Sequence, residues 1–227
     1  MESRCSQAPG TGMRLRISAL VLAAGSGSRL GYRPKCLLER EGISLIRHQL
    51  AALRSSGVTT LTVVLGHYAD RIAREITNLP IQLLRNPDPE AGQVSSLRLG
   101  LASLPTDTEA VMVALADQPL IGSREIIDLI CAYKNRPVGT GVVQPTVDAL
   151  PGNPVMFSSE VAAEILQGGP NMGCRQWQTA HPDKAFAWPT NNIHYRLDVD
   201  SEADIEAIAR ISGLRLGWPA LTHNGFP

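Results

Sequence analysis

The amino-acid sequence predicts an α/β protein in which a mostly parallel sheet carries helices on both faces. Apolar, strand-like runs alternate with helical patterns from Ile17 to residue 135. This alternation is typical of parallel sheets whose strands are joined by right-handed crossovers. After residue 135 the rhythm loosens, and short strand-like runs predict a smaller, mixed β portion in the second half. A chain of 227 residues suffices for one domain with a large core.

Two hydrophobic periods define the elements of the first half. Continuous apolar runs such as "ISALVLAA" predict buried strands, whereas apolar residues three or four positions apart, as at Ile46, Leu50 and Leu53, predict a helix. The predicted strands are 17–24, 60–66, 81–85 and 110–116. The predicted helices are 44–57, 68–78, 94–104 and 123–135.

The second half predicts short strands and one closing helix. The strands fall at 140–147, 154–157, 184–188 and 194–199. The helix, 201–213, has Ser201 as its N-cap and Asp204 three residues on, a variant of the capping box. We expect one domain over residues 15–215, a disordered tail over 1–14 and a C-terminal tail over 216–227.

Composition and charge exclude several classes of protein. Lys and Arg total 21, as do Asp and Glu, and this balance argues against a basic face for nucleic acid. No apolar stretch reaches the roughly 20 residues that span a bilayer. The polar start, where Met13 is an alternative first residue, lacks the apolar middle of a signal peptide. Four widely separated cysteines favour reduced thiols, so we expect a soluble, cytoplasmic protein with no nucleic-acid or membrane partner.

Three polar loops are predicted to meet at one edge of the sheet. They follow Ala24, follow Ala116 and include the turn from Asp198 to Ser201. In open α/β sheets, ligands bind beyond the carboxyl ends of the strands. The sequence therefore predicts a binding site at this edge.

The first of these loops has the composition of a polyphosphate site. In "LVLAAGSGSRLGYRPKCLL", three glycines are interleaved with Arg29, Arg33 and Lys35. Glycines let backbone amides approach an anion, and the cations add full charges. A Walker A loop does not fit, because Lys35 follows proline and precedes cysteine. A dinucleotide fingerprint does not fit either, because the spacing is GxGxxxG and no acid closes the second strand. A glycine-rich turn with solvated cations is the remaining alternative.

Carboxylates at the other two loops suit a metal ion. Asp117 ends a buried strand, where an unpaired charge would be costly. Asp198 and Asp200 are two apart and would share one face of a strand. Mg²⁺ favours one or two carboxylates together with phosphate oxygens and water. The alternative is that Asp117 and Asp200 merely cap the helices that follow them.

Five blocks of sequence follow one another along the chain. The first reads Leu22-Ala23-Ala24-Gly25, Gly27, Arg29-Leu30-Gly31, Lys35 and Leu37-Leu38. The others are "RNPDPEAGQVSSLRLGL", "LADQP", "GNPVMF" and "LDVDSEADI", and the five together span about residues 17–210. This series resembles the molybdenum cofactor cytidylyltransferase family, within the MobA-like NTP transferase superfamily.

The resemblance implies an enzyme with a Rossmann-like fold of the nucleotidyltransferase GT-A type. Such an enzyme transfers CMP from CTP to the phosphate of molybdopterin, requires Mg²⁺, releases pyrophosphate and has a molybdoenzyme as its client. Arg29, Lys35 and Asp117 would be catalytic. Asp117 and Asp200 would hold the metal, and Asp198 is the second choice for the position given to Asp200.

The resemblance also implies two sets of binding residues. The nucleotide-binding set is Leu22, Ala23, Ala24, Gly25, Gly27, Ser28, Asn86, Gly92, Ser95 and Ser96. The acceptor-binding set is Gln118, Gly152, Asn153 and Arg175. From the residues alone, Ser95 or Ser96 could equally be an N-cap, and "GNP" could equally be a tight turn.

One departure from the family pattern leaves the acceptor open. The family shows Gly-Asp-x-Gly-Ala-Arg in its second half, whereas residues 170–175 read "PNMGCR", with Asn171 in place of the acid. The alternatives are a guanylyl relative that uses GTP, an NAD(P)H-dependent oxidoreductase on the same scaffold, and a non-catalytic molybdopterin carrier. Ala23-Ala24-Gly25 favours cytidine by family pattern, and the retained aspartates favour the transferase.

Overall fold

The computed structural model describes residues 15–219 of the chain. Residues 1–14 and 220–227, expected to be tails, lie outside the described residues. The strands are β1 (Ile17–Ala23), β2 (Glu39–Arg40), β3 (Ile43–Ser44), β4 (Thr60–Leu65), β5 (Gln82–Arg85), β6 (Ala110–Leu115), β7 (Val142–Val147), β8 (Leu150–Pro151), β9 (Val155–Ser158), β10 (Ala185–Pro189) and β11 (Leu216–Gly217). The α-helices are α1 (Leu45–Ser55), α2 (Ala69–Ile76), α3 (Gln93–Ala102), α4 (Ser123–Lys134), α5 (Ser159–Gln167), α6 (Cys174–Ala180) and α7 (Glu202–Ser212).

An eight-stranded sheet forms the centre of the fold. Its order is β10-β7-β9-β6-β1-β4-β5, and β8 pairs with β7 at one end. β1 is parallel to β4 and β6, and β4 is parallel to β5. β9 runs antiparallel to both β6 and β7. The mostly parallel sheet and the mixed portion from the second half are therefore confirmed.

Helices cover both faces of the sheet, as predicted. α1, α2 and α4 pack with Ala19 and Val21 of β1 on one face, whereas α3, α5 and α6 pack with Leu20 and Leu22 on the other. Because β1 is buried on both faces, its sequence is almost continuously apolar rather than alternating. No helix among residues 15–219 is both long and apolar enough to cross a membrane.

A small antiparallel sheet lies beside the large one and was not predicted. Its order is β11-β2-β3, and it adjoins a core of its own. The buried members of that core are Leu30, Leu38, Leu45, Leu120, Val199 and Ile208. β11 pairs with β2, so Leu216 and Gly217, which fall in the expected C-terminal tail, belong to this small sheet.

The predicted strand over residues 194–199 is wrong. Ile193–Arg196 forms a 3-10 turn, because the groups of Tyr195 are bonded to loops and to a helix rather than to a neighbouring strand. Its carbonyl oxygen accepts from the Asn153 amide at 2.8 Å and from Gln118 Nε2 at 3.2 Å. Its buried hydroxyl donates to the Glu125 carbonyl at 2.7 Å. The turn therefore leads the chain into Asp198 and Asp200 without joining the sheet.

Glu125 anchors this segment to the first turn of α4. Its buried carboxylate accepts from the Gly122 amide at 3.0 Å, from Asn192 Nδ2 at 3.1 Å and from His194 Nδ1 at 2.8 Å. Burial alone would raise the pKa of Glu125, but these hydrogen bonds outweigh it and lower the pKa below its ordinary value. The ionised carboxylate therefore stabilises the folded chain.

Replacing Glu125 by glutamine is expected to lower the melting temperature at pH 7. Hydrogen bonds to a charged group contribute about 1.5–3 kcal/mol, and a loss of about 2 kcal/mol corresponds to about 4–8 °C in a chain of this size. Because the pKa of Glu125 is lower in the folded chain than its unfolded value of 4.5, the ionised carboxylate stabilises the fold fully above pH 4.5. That stability is lost as the pH falls through the pKa of the folded state. Melting curves should thus show the gap between wild type and Glu125→Gln closing in acid. Exposed Glu206→Gln is the control, and a gap that persists in acid would assign the effect to packing instead.

Candidate active site

A cavity of about 460 Å³ opens at the carboxyl edge of the sheet, where β1, β4 and β6 end. The three polar loops of the sequence meet here, as the parallel topology requires. Its lining is Leu22, Ala23, Ala24, Gly25, Ser26, Pro34, Lys35, Cys36, His67, Ile72, Pro89, Glu90, Gly92, Gln93, Ser96, Leu115, Ala116, Asp117, Asp198 and Asp200. The cavity has the size and position of a small-molecule site.

The glycine-rich loop after β1 is closed on itself. Gly27 has φ +61° and its carbonyl accepts from the amides of Leu30 and Tyr32 at 2.9 and 3.0 Å. A Cβ on Gly27 would lie 2.0 Å from the carbonyl oxygen of Arg33. Only glycine therefore fits at this position, because any side chain would push the two ends of the loop apart.

An unbroken chain of ion pairs joins the three loops. Arg29 Nη2 lies 2.6 Å from Asp200 Oδ2, and Lys35 Nζ lies 2.5 Å from Asp200 Oδ1. The same ammonium lies 2.9 Å from Asp117 Oδ2. The cations predicted to bind phosphate are thus paired, in the free protein, with the carboxylates predicted to bind metal.

Neighbouring charges oppose the effect of burial on the pKa values of Lys35 and Asp200, but they add to it at Asp198. Burial alone would lower the pKa of Lys35, but Asp117 and Asp200 outweigh it and raise the pKa. Burial would raise the pKa of Asp200, yet Lys35 and Arg29 lower it. For Asp198, burial and the charges of Asp117 and Asp200 all raise the pKa. Three carboxylates thus share two cations, which leaves the cluster attractive to a further cation.

The residues present fit a divalent metal held jointly with a nucleotide. Asp117 Oδ1 is buried and has no hydrogen-bond partner among the described residues, although an unpartnered buried carboxylate oxygen is costly. Residues 15–219 contain no cluster of three or more His, Cys, Asp or Glu side chains arranged to hold a metal alone. Two carboxylates completed by phosphate oxygens and water are the arrangement that Mg²⁺ prefers.

The structure separates the predicted nucleotide-binding residues into two groups. Leu22, Ala23, Ala24, Gly25, Gly92 and Ser96 line the cavity, whereas Gly27, Ser28, Asn86 and Ser95 do not. Asn86 Nδ2 donates to the hydroxyls of Ser95 and Ser96 at 2.7 and 2.9 Å. Asn86 and Ser95 therefore support the wall of the cavity from behind. Arg29 also lies outside the lining and reaches the site through Asp200.

Several residues of the site lie outside the predicted binding sets. His67 and Glu90 both line the cavity, with His67 Nε2 3.5 Å from Glu90 Oε1. His67 follows β4 and Glu90 follows the parallel strand β5, and a position after a parallel strand is the signal that could have identified Glu90. The Asp204 carboxylate accepts from the amides of Asp200 and Ser201 at 3.0 and 2.7 Å, so the predicted capping box also orients Asp200.

A second cavity of about 710 Å³ adjoins the first and shares Leu22, Gln93 and Leu115 with it. Asn153 and Arg175, predicted to bind the acceptor, line this cavity. Gln118 and Gly152, predicted with them, line neither cavity.

The reason is that Gln118 and Gly152 both pack against Tyr195. Gln118 Nε2 donates to the Tyr195 carbonyl, and a Cβ on Gly152 would lie 2.7 Å from the same oxygen. Both therefore hold the segment that leads to Asp198 rather than face an acceptor.

Known proteins resemble the chain in sequence and in fold. The bifunctional protein GlmU of Mycobacterium ulcerans is 35% identical over 120 residues, which are 50% of this chain and 24% of that protein. The chain thus spans about a quarter of the length of this curated relative.

Two solved structures share the fold. A nucleotidyl transferase from Methanothermobacter thermautotroptrophicus is 22% identical, with a TM-score of 0.71 over 86% of this chain and 97% of that one. Rv0371c of Mycobacterium tuberculosis, solved in complex with manganese, is 22% identical, with a TM-score of 0.66 over 86% of this chain and 98% of that one. The model of the MobA-like NTP transferase domain matches residues 19–185, and the chain belongs to that family.

Proposed function

We propose that this nucleotidyltransferase moves CMP from CTP to the phosphate of a molybdopterin-type acceptor, with Mg²⁺ and with release of pyrophosphate. The observation that carries the proposal is the ion-pair chain Arg29–Asp200–Lys35–Asp117, together with the unpartnered oxygen of Asp117. The free protein holds two cations and their carboxylates in one half-buried cluster. A metal-bound triphosphate supplies the complementary charge to each of them.

Binding exchanges one set of pairs for another. Asp117 and Asp200 would hold the metal, which when bound neutralises phosphate charge. Arg29 and Lys35, released from the carboxylates, would pair with phosphate oxygens, so no charge is left unpaired in the cluster. Such an exchange keeps the desolvated groups compensated before and after binding.

The side chains then act by position and charge. An oxygen of the acceptor phosphate forms a bond to the α-phosphorus, and the bond from that phosphorus to the bridging oxygen breaks, with its electron pair leaving on pyrophosphate. Lys35 would stabilise charge developing at the α-phosphate, and Arg29 would stabilise the leaving β- and γ-phosphates. The acceptor phosphate is already anionic, so the reaction requires no general base.

The lining of the second cavity supports an acceptor of the pterin class. Its polar side chains are mostly uncharged amides, and its one formally charged lining residue is Arg175. The amides are those of Gln93, Gln144, Asn153, Gln176 and Gln178, and Val94, Leu97, Val113 and Val155 add apolar surface. Such walls suit a flat ring rich in hydrogen-bonding atoms that carries one anionic group. Asn171, which departs from the family pattern, is not part of this lining.

A thermal-shift comparison of CTP, GTP, ATP and NADPH, each with and without Mg²⁺, tests the proposal. A ligand at 100 times its Kd adds about 2.7 kcal/mol, or about 5–10 °C in a chain of this size. We expect a Mg²⁺-dependent rise with CTP alone, followed by pyrophosphate release when molybdopterin is added. A rise with GTP alone would mean that the enzyme uses GTP in place of CTP. A rise with NADPH alone would overturn the transferase proposal.

A further inference from the structure

The segment after α7 lies beyond the matched family domain, yet it contacts the glycine-rich loop. β11 pairs antiparallel with β2, placing Leu216 opposite Arg40 and Gly217 opposite Glu39. Leu216 and Trp218 pack against the small core that contains Leu30 of the glycine-rich loop. Leu216 and Trp218 therefore pack on the same core as the loop over residues 25–35.

The contact between Trp218 and Arg33 is specific. The guanidinium carbon of Arg33 lies 3.6 Å from the centroid of the Trp218 ring, which is a cation–π geometry. Trp218 Nε1 is buried and has no hydrogen-bond partner among the described residues. The described contact of Trp218 with the loop is therefore made by its aromatic face.

The backbone of Arg33 closes the same loop on its other side. Its carbonyl oxygen occupies the space beside Gly27. The Tyr68 hydroxyl lies within hydrogen-bond distance of the carbonyl oxygens of Ser26 and Tyr32. Between these ends Leu30 is buried in the small core, whereas its neighbours are open to solvent, with the Arg29 side chain 68% exposed. Arg33 is therefore one of the points at which the exposed part of the loop is fixed to the body of the protein.

We propose that Trp218 is a positioning residue of the nucleotide site: its ring holds Arg33 and thereby fixes residues 27–33, which carry Arg29. The inference rests on the proposed function only in taking a nucleotide as the ligand. A loop ordered before binding does not have to be ordered by the ligand, so its affinity is higher. Loss of this order weakens binding of substrate and transition state alike, which raises KM and leaves kcat nearly unchanged.

Four variants and a matched control test the role of Trp218. They are Trp218→Leu, Trp218→Phe, Arg33→Gln, the double variant Trp218→Leu/Arg33→Gln, and Arg136→Gln as the control. The guanidinium carbon of Arg136 lies 3.8 Å from the centroid of the Tyr133 ring, so this variant removes the same kind of contact, but Arg136 follows the end of α4 that is opposite to Glu125. The Kd for Mg²⁺–CTP is measured by calorimetry, and kcat by pyrophosphate release.

We expect Trp218→Leu to raise the Kd about two- to tenfold, the range of one cation–π contact, with kcat within twofold of wild type. Trp218→Phe should restore most of the affinity, and Arg136→Gln should not change it. The double variant should bind no more weakly than Trp218→Leu alone, because both changes remove one contact. Wild-type Kd in Trp218→Leu, or additive losses in the double variant, would overturn the proposal.

Hydrogen–deuterium exchange tests the same idea without a ligand. The amides of Leu30 and Tyr32 are bonded to Gly27 and report directly on loop order. They should exchange faster in Trp218→Leu than in wild type or Arg136→Gln, and unchanged exchange would overturn the inference. If the wild type binds no nucleotide, the proposed function fails, and exchange still decides whether Trp218 orders the loop.

Discussion

Replacing Lys35 by alanine is expected to lower the rate of nucleotidyl transfer by about 100-fold or more. The side chain is only 17% exposed and its ammonium lies between Asp117 and Asp200. Among the described residues, Asp117 has no other cation partner. Removal of one preorganised donor at a developing charge costs about 10²–10³ in kcat. Pyrophosphate release under saturating CTP and Mg²⁺ measures the loss. The exposed Lys134→Ala is the matched control and should retain wild-type turnover.

The same variant should respond to Mg²⁺ in the absence of nucleotide. Without the ammonium, Asp117 has no cation partner among the described residues, and Asp200 keeps only Arg29. The carboxylate cluster then attracts a divalent cation more strongly, so Mg²⁺ alone should raise the melting temperature of Lys35→Ala more than that of wild type. Retention of more than half the activity, or an equal response to Mg²⁺, would remove Lys35 from the proposed role.

Replacing Asp117 by asparagine is expected to reduce turnover by a similar factor, with the fold kept. The substitution preserves the shape of the side chain but removes the charge that pairs with Lys35, and it replaces one carboxylate oxygen by an amide nitrogen that cannot bind a metal ion. A neutral amide is a poor ligand for Mg²⁺ beside phosphate, so the Mg²⁺ concentration for half-maximal activity should also rise. Circular dichroism should show an unchanged fold.

Three further variants make the Asp117 result specific. Asp128→Asn, in an exposed pair with Arg124, should behave as wild type. Asp200→Asn and Asp198→Asn, titrated with Mg²⁺ in the same assay, should differ, with the larger shift in Asp200→Asn if that residue is the second ligand. An Asp117→Asn enzyme with wild-type Mg²⁺ dependence would contradict the assignment.

The central sheet could be predicted because burial on both faces is recorded directly in its sequence. β1 and β6 are runs of apolar residues with little polar interruption, and such runs have few alternatives to a buried strand. Local signals failed where long-range bonds decide the structure. Tyr195 lies in a strand-like sequence, yet its carbonyl is bonded to Asn153 and Gln118, and no local pattern could show those partners.

The site follows the same rule. The glycines and cations that follow β1 are a local feature of the sequence, and so is the carboxylate at the end of β6. The pairing of Arg29 and Lys35 with Asp200 joins residues 171 and 165 positions apart, and only the folded chain shows it. Gln118 and Gly152 have the residue types of a binding site, but their contacts with Tyr195 give them a supporting place.

The distance in sequence between the loop and its anchors has a consequence for the order of synthesis. A ribosome makes the glycine-rich loop before it makes Asp200 and Trp218, which pair with the cations of that loop. Trp218 follows the loop by nearly 200 residues. Domains fold as units while the chain is being made, so a nascent chain that already contains β1, β4 and β6 still lacks a neutralised, anchored loop. We therefore expect stalled chains that end before residue 200 to bind nucleotide poorly, and competence to arise only when residues 200–218 have been made and can fold.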